Sequence, residues 1–380
     1  MGNDVVDVMK ARVARGELPG LVTLVARGEE TQVDVIGKMG FGDERPMRRD
    51  TLFRIASLTK PITAVAVMML AEDGAFSLDE PVDRLLPELA EPRVLRNIDG
   101  PLDDTVPADR PITVEDLLTF RMGLGLITEP SYNPPYPIVE KPRELNLVLA
   151  EPDPRTPHEP DEWMRRFGTL PLMDQPGTHW RYNPGSLLQG VLIARASGMP
   201  FADFLKRRLF DPLGMGDTGF HTALENTARI PRQYMTNFET GVLEEQPLSK
   251  AEQWTAAPPF PSGSSGLLST VDDYHKFARM MLNRGAFGGM QLLPERTVEA
   301  MTVNHLTQDQ IGSAGMLLDG RGWGYGLSVV DGRYGWEGGS GTVWFNDPSQ
   351  DATAIALTQN TDFLFNGSAT EFIELALKRP

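Results

Sequence analysis

The chain contains no cysteine. That absence excludes disulfide staples, thiolate nucleophiles and sulfur-ligated metal sites together, and it is compatible with a reducing compartment. Histidine is scarce. There are five, His158, His179, His221, His275 and His305, and none forms a His-x-x-x-His or similar metal-binding pair. No Gly-x-Ser-x-Gly elbow occurs, which argues against an α/β-hydrolase. No glycine-rich phosphate loop followed by lysine occurs either, so neither a nucleotide nor another cofactor is implied. Long apolar runs are also missing: the longest, Ala64 to Ala71, is far short of a membrane span. The N-terminal stretch lacks the basic and apolar regions of a secretory signal, and Gly2 is not followed by Ser or Thr at position 6. The expectation is a soluble, cytoplasmic protein with no membrane partner. Positive charge is short as well. Against 52 Asp and Glu stand 36 Lys and Arg, giving a net charge of -16. That field repels a phosphate backbone, so nucleic acid is excluded as a partner and the charge reads as solubility.

What is present is ordinary globular material. The hydrophobic fraction is 41% and the charged fraction 23%, and 380 residues can bury a large core in one or two domains. Residues 4–15 carry apolar side chains near helical spacing, and Gly16 is a stop. Leu21–Ala26 and Gln32–Ile36 are β-rich runs around Arg27-Gly28-Glu29-Glu30, which reads as a hairpin turn. A helix is expected from Ser57 to about Asp73, ended by Gly74. From about 75 to 235 the pattern is helical. Patches at 114–119, 162–167, 186–197 and 201–209 alternate with proline-rich loops, the loosest of them 126–160, which is either a lid or a long surface excursion. Short β-rich runs return at 325–330, 342–346 and 353–358, and 369–378 closes as a helix. Strands at both ends with a helical middle predict an α+β protein. Residues 1–74 and 236–380 would form a sheet domain flanked by the terminal helices, with a mostly helical domain, 75–235, inserted.

Three features carry chemistry. Ser57-Leu58-Thr59-Lys60 places a hydroxyl and an amine one turn apart on one face of a helix start. The amine can take the hydroxyl proton, and the helix N-terminus favours negative charge nearby: a nucleophile with its own base. Alone this spacing is a weak signal, equally a helix cap beside a surface lysine. In Pro176-Gly177-Thr178-His179-Trp180-Arg181-Tyr182-Asn183-Pro184, a tyrosine on a loop just before a helix can point its hydroxyl into a cleft. A phenol near a cationic amine has a lowered pKa and can shuttle protons. His179 is the one histidine close to it. In Arg333-Tyr334-Gly335-Trp336-Glu337-Gly338-Gly339, glycines in a strand mark close approach of a backbone or ligand, and a backbone N–H there can face a reacting carbonyl oxygen.

Ser57-x-x-Lys60, Tyr182 and the Trp336-x-Gly338 strand, in this order and at these spacings, resemble the serine β-lactamase-like superfamily. The chain looks closest to family VIII carboxylesterases, relatives of class C β-lactamases and D-Ala-D-Ala peptidases. Pro111–Gly125 resembles the "LLTHTSGL" region of that family, with Phe120 where histidine is usual, and Gly263–Tyr274 resembles its "GGGGLxSTxxDY" region. The resemblance runs from about residue 3 to 378. It implies a β-lactamase/transpeptidase-like fold with the active site in the cleft between the two domains. It further implies Ser57 as nucleophile, and Lys60 and Tyr182 as the proton-transfer pair, which of them is the base being open. The Ser57 and Gly339 backbone N–H groups would form the oxyanion hole, and Trp336 and Gly338 would line the substrate pocket. Two departures matter. Tyr182-Asn183-Pro184 lacks the asparagine two residues after the tyrosine of class C lactamases, and Trp336 stands where those enzymes carry a lysine. Both match the esterase branch.

The expected function is a serine hydrolase that acts on small-molecule carboxylic esters through an acyl-enzyme on Ser57, with no cofactor and no metal. The rivals are the same site working on a β-lactam, a D-amino acid peptide or an amide oligomer, acyl transfer to an alcohol, and an inactive binding protein on this scaffold.

Overall fold

The structure is a computed structural model that describes residues 3–128, 131–149, 156–237, 239–247 and 250–379. Helix α1 (Asn3–Ala14) leads into strands β1 (Gly20–Arg27) and β2 (Glu30–Gly37), joined by the expected turn, where Gly28 adopts φ 53°. Helix α2 (Thr59–Glu72) follows a short 3-10 turn, Ala56–Leu58, and is buried on every side from Thr59 to Leu70. That all-round burial explains the apolar run at 64–71: it is a core helix, not a surface or membrane one. Helices α3 (Pro184–Ser197) and α4 (Val271–Leu282) come next. The chain then adds strands β3 (Gly322–Trp323), β4 (Ser328–Val330), β5 (Arg333–Gly338), β6 (Thr342–Asp347) and β7 (Ala352–Thr358), and closes with helix α5 (Ser368–Ala376). Among the described residues no helix is long and apolar enough to cross a membrane.

The seven strands form one antiparallel sheet in the order β3-β4-β5-β6-β7-β1-β2. The two chain ends meet at β1 and β7, where Leu21 pairs with Thr358 and Arg27 with Ala352. Both faces of this sheet are covered, so alternate residues along one strand enter different cores. Leu21, Val343, Phe345 and Ala356 pack with Val5 and Met9 of α1 and Phe372 of α5. Val22, Leu24, Trp344, Ile355 and Leu357 face the opposite way, into the core shared with α2, α3 and α4. The fold is therefore α+β, an antiparallel sheet flanked by terminal helices with mostly helical chain between, as expected.

The segment 126–160 is built more firmly than its composition suggests. It holds a helix, Pro137–Glu144, and its described residues dock inward: Trp163 Nε1 donates to Leu147 O at 2.9 Å and Leu126 N to Tyr182 O at 3.0 Å. Residues 129–130 and 150–155 of this segment lie outside the described residues.

Candidate active site

The turn carrying Ser57 is held from several directions. Residues Phe53–Arg54 pair with Leu268–Ser269, and Ile55 N donates to Leu267 O at 3.0 Å. Thr342 Oγ1 donates to Ile55 O at 3.0 Å, and the buried Tyr274 hydroxyl donates to Leu58 O at 3.1 Å. Ala56, immediately before Ser57, sits at φ 45°, in the left-handed region that costs a non-glycine residue about 1–2 kcal/mol. Such strain survives only where neighbours over-determine the backbone.

Lys60 enters from the first turn of α2 and is completely buried. Its Nζ donates to Ser57 Oγ at 2.9 Å and to Ser264 O at 2.9 Å. The Ser264 carbonyl reaches it because the segment 262–266 is wedged between α2 and α3. A Cβ on Gly263 would stand 2.3 Å from Ser186 O, and Thr63 Oγ1 donates to Gly263 O at 2.8 Å. Burial acts on the amine without a compensating charge and pushes its pKa well below the ordinary lysine value.

Tyr182 lies across the amine, with Lys60 Nζ 4.4 Å from its ring centroid. Its hydroxyl accepts Trp336 Nε1–H at 2.7 Å, and the neighbouring Ser57 side chain favours its ionised form. Around it stand Phe120 (5.7 Å between centroids), Trp180 (5.4 Å), Trp336 (5.7 Å) and Trp323 (6.4 Å). The phenol acidified by a cationic amine that the sequence suggested is not found. Burial in this aromatic shell raises the Tyr182 pKa above the usual phenol range, outweighing the lowering influence of Ser57 and Trp336. The reason is reciprocal: the same dry shell that suppresses charge on Tyr182 suppresses it on Lys60. Phe120, where the resemblance led one to expect histidine, is fully buried and forms part of that shell.

Ser57, Tyr182, Trp336 and Gly339 all line one cavity of about 550 Å³. Gly338 does not. It packs beneath, and a Cβ there would stand 2.3 Å from Ile55 O and 2.2 Å from Thr342 Oγ1. Gly339 faces open space, with nothing within 4 Å of a Cβ. Gly338→Ala is therefore expected to destabilise the fold by about 1–3 kcal/mol through overpacking and to displace the nucleophile turn. Gly339→Ala should leave stability within about 0.5 kcal/mol. Denaturant unfolding of the two variants checks this contrast.

Trp336, read from the sequence as a pocket wall, is buried, and its one polar atom is committed to Tyr182. His179 pairs with Asp174 at 3.1 Å, half exposed, and is not among the cavity residues. The sequence reading missed the Ser264 carbonyl and the Tyr274 hydroxyl. The first is a backbone group with no side-chain signature. The second stands inside a segment that had been matched only as a resemblance. Among the described residues no group of His, Cys, Asp and Glu is arranged to hold a metal.

The sequence profile of the β-lactamase family matches residues 5–378. The chain belongs to the β-lactamase family. Its relatives within that family include the esterase EstB of Burkholderia gladioli, 30% identical over 90% of this chain and 86% of that one. The lovastatin esterase of Penicillium rubens is also 30% identical, over 84% of this chain and 82% of its own length. Among solved structures, EstCE1, described as a hydrolase with promiscuous acyltransferase activity, superposes with a TM-score of 0.80. It covers 99% of this chain and 97% of its own at 22% identity, a likeness of fold. The enzyme class expected from the sequence, a β-lactamase-like serine hydrolase, agrees with that membership.

Proposed function

We propose that the enzyme hydrolyses carboxylic esters through an acyl-enzyme on Ser57. The observation that carries this reading is the 2.9 Å contact between the Ser57 hydroxyl, on the cavity wall, and a completely buried Lys60 amine whose pKa burial lowers well below the ordinary lysine value. In this reading neutral Lys60 is the base. It takes the Ser57 proton as Oγ bonds to the acyl carbon, and the backbone N–H groups of Ser57 and Gly339 receive the oxyanion. Tyr182, a phenol, gives its proton to the departing alkoxide and regains one from the lysine ammonium. Water then repeats the sequence in reverse, and Ser57 leaves with its proton restored. Trp336 holds the Tyr182 oxygen in place for both transfers. The site lies in the cleft between a sheet domain (1–74 and 236–380) and a helical domain (75–235), acting in the cytoplasm, with which a cysteine-free chain is compatible.

The esterase activities of EstB and lovastatin esterase support an ester substrate, and the acyltransferase activity of EstCE1 supports some acyl transfer beside hydrolysis. A β-lactam fits less well. The two arginines lining the cavity are both ion-paired, Arg321 with Glu337 at 2.8 Å and Arg333 with Asp347 at 3.0 Å. Trp336 supplies no cation, so the antibiotic carboxylate would be desolvated without a partner.

The test is p-nitrophenyl butyrate against nitrocefin. Turnover of the ester with kcat/KM about 100-fold or more above nitrocefin is expected; equal values would reject the ester reading. Tyr182→Phe is expected to lower kcat by about 10²–10⁴-fold while leaving the acid limb of the pH profile in place, since Lys60 sets that limb. Loss of the limb in Tyr182→Phe would assign the base to the tyrosine instead.

A further inference from the structure

The cavity does not end at the nucleophile. Past Gly339 it rounds the β5–β6 turn and continues beside β4, β5 and β6, where α5 and the chain before it also line it. Its lining runs from Gly339, just past the end of β5, to Arg333 at the start of that strand, six residue steps, a length of roughly 20 Å. The floor and walls here are Val330, Val343, Phe345, Leu364, Phe365 and Ile373. The arginines beside this floor are neutralised by Glu337 and Asp347, so the apolar floor lies between two ion pairs, and the carboxylates of Asp319 and Glu374 line the same cavity. A second observation points the same way. Eight large apolar side chains are exposed among the described residues, and three of them, Tyr132, Met316 and Phe365, line this one cavity. Met316 and Phe365 are 70% and 67% exposed. Apolar surface gathered in a groove marks a binding surface, whereas scattered single residues do not. Continuity with Ser57 names the occupant: the substrate itself.

We infer that the enzyme's substrates are esters with a long apolar arm, and that this trough seats the arm. The inference rests on the proposed ester hydrolysis. A short acetyl or butyryl group would fill only the end of the cavity around Ser57 and Tyr182 and leave the trough to water. An extended arm would cover the exposed Phe365 and the partly buried Leu364 and gain the hydrophobic contribution of each methylene buried. The arm can belong to the acid or to the alcohol, since both sides of the scissile bond leave the nucleophile through the same cavity.

Three esters separate the possibilities: p-nitrophenyl acetate, p-nitrophenyl dodecanoate and dodecyl acetate, each kept below its critical micelle concentration. Two variants act on the trough away from the reacting atoms. Thr370→Trp fills it from an exposed position on α5, and Phe365→Ser removes its most exposed wall. The wild type is expected to show kcat/KM at least about tenfold higher for one of the dodecyl esters than for p-nitrophenyl acetate. The dodecyl ester that gains identifies which side of the bond the trough holds. Both variants are expected to erase about tenfold of that advantage, chiefly through KM, with p-nitrophenyl acetate turnover within about twofold of wild type. Equal kcat/KM for short and long esters, or a long-chain advantage that neither variant reduces, overturns the trough while ester hydrolysis stands. No turnover of any of the three esters overturns the ester reading, and the trough falls with it.

Discussion

Replacing Ser57 with alanine is expected to reduce ester turnover by about 10⁴–10⁶-fold, the loss seen when the nucleophile of a cooperating set is removed. The size follows from the arrangement. Lys60 and Tyr182 both address Ser57: the amine is 2.9 Å from its hydroxyl, and the phenol lies across that amine with its ring centroid 4.4 Å from Nζ. Without that oxygen neither group has an atom to act on, and the backbone N–H groups alone retain only weak catalysis. Among the cavity residues, Ser265 is the other serine. Its hydroxyl contacts Ser262 at 3.4 Å and Ser264 at 3.3 Å, and it carries no recorded contact to the amine. Residual activity in Ser57→Ala above about 1% of wild type would therefore point to a different nucleophile and end the assignment.

Lys60→Met is expected to be nearly as inactive, losing on the order of 10⁴ in kcat, and yet to be more stable than wild type near neutral pH. Both effects come from the same burial. In the unfolded chain the lysine binds a proton up to about pH 10.4. In the folded enzyme burial strips that proton at much lower pH. Between the depressed folded value and the ordinary one the unfolded state binds more protons, so wild-type stability rises with pH across that window. Methionine carries no such cost. The variant's advantage, about 1 kcal/mol or more, is expected to shrink as pH rises toward the ordinary lysine range. Denaturant melts across pH read this directly. The wild-type rate follows the same protonation: kcat/KM climbs as Lys60 loses its proton, with the inflection well below the usual lysine range. It shows no falling limb from Tyr182 within the ordinary phenol range, because burial raises that group.

Much of this arrangement was legible in the sequence, and the parts that were not share a physical cause. The strands at 21–26, 342–346 and 353–358 were read within a residue or two because their apolar runs are short and bounded by Gly, Pro and Asp, while the run read at 325–330 is strand only from Ser328. The resemblance brought Ser57, Lys60 and Tyr182 together, and the structure sets the Lys60 amine against both the Ser57 hydroxyl and the Tyr182 ring. Helix α4 went unread although its signals were present: Thr270 caps it, Asp272 and Asp273 follow, and Val271, Tyr274, Phe277, Ala278 and Met281 fall on one face. The phenol's shift was read the wrong way round: the sequence suggested a lowered pKa, and burial raises it. A sequence pattern names the phenol and the amine, but the sign of each pKa shift depends on Phe120, Trp180 and Trp323, which arrive from distant segments and exclude water. The role of Trp336 escaped for the same reason. Its indole N–H serves Tyr182 across 154 residues of sequence.

The central claim is that the Ser57 oxygen is the atom made nucleophilic by an uncharged Lys60. Reaction of the intact enzyme with a fluorophosphonate, followed by peptide mapping, tests it most directly when the labelling rate is taken across pH. The account predicts a single adduct on Ser57, formed faster as pH rises through the depressed lysine value, and none in Lys60→Met on the same timescale. An adduct on another residue, or a Ser57 adduct forming at the same rate with methionine in place of the lysine, would contradict it.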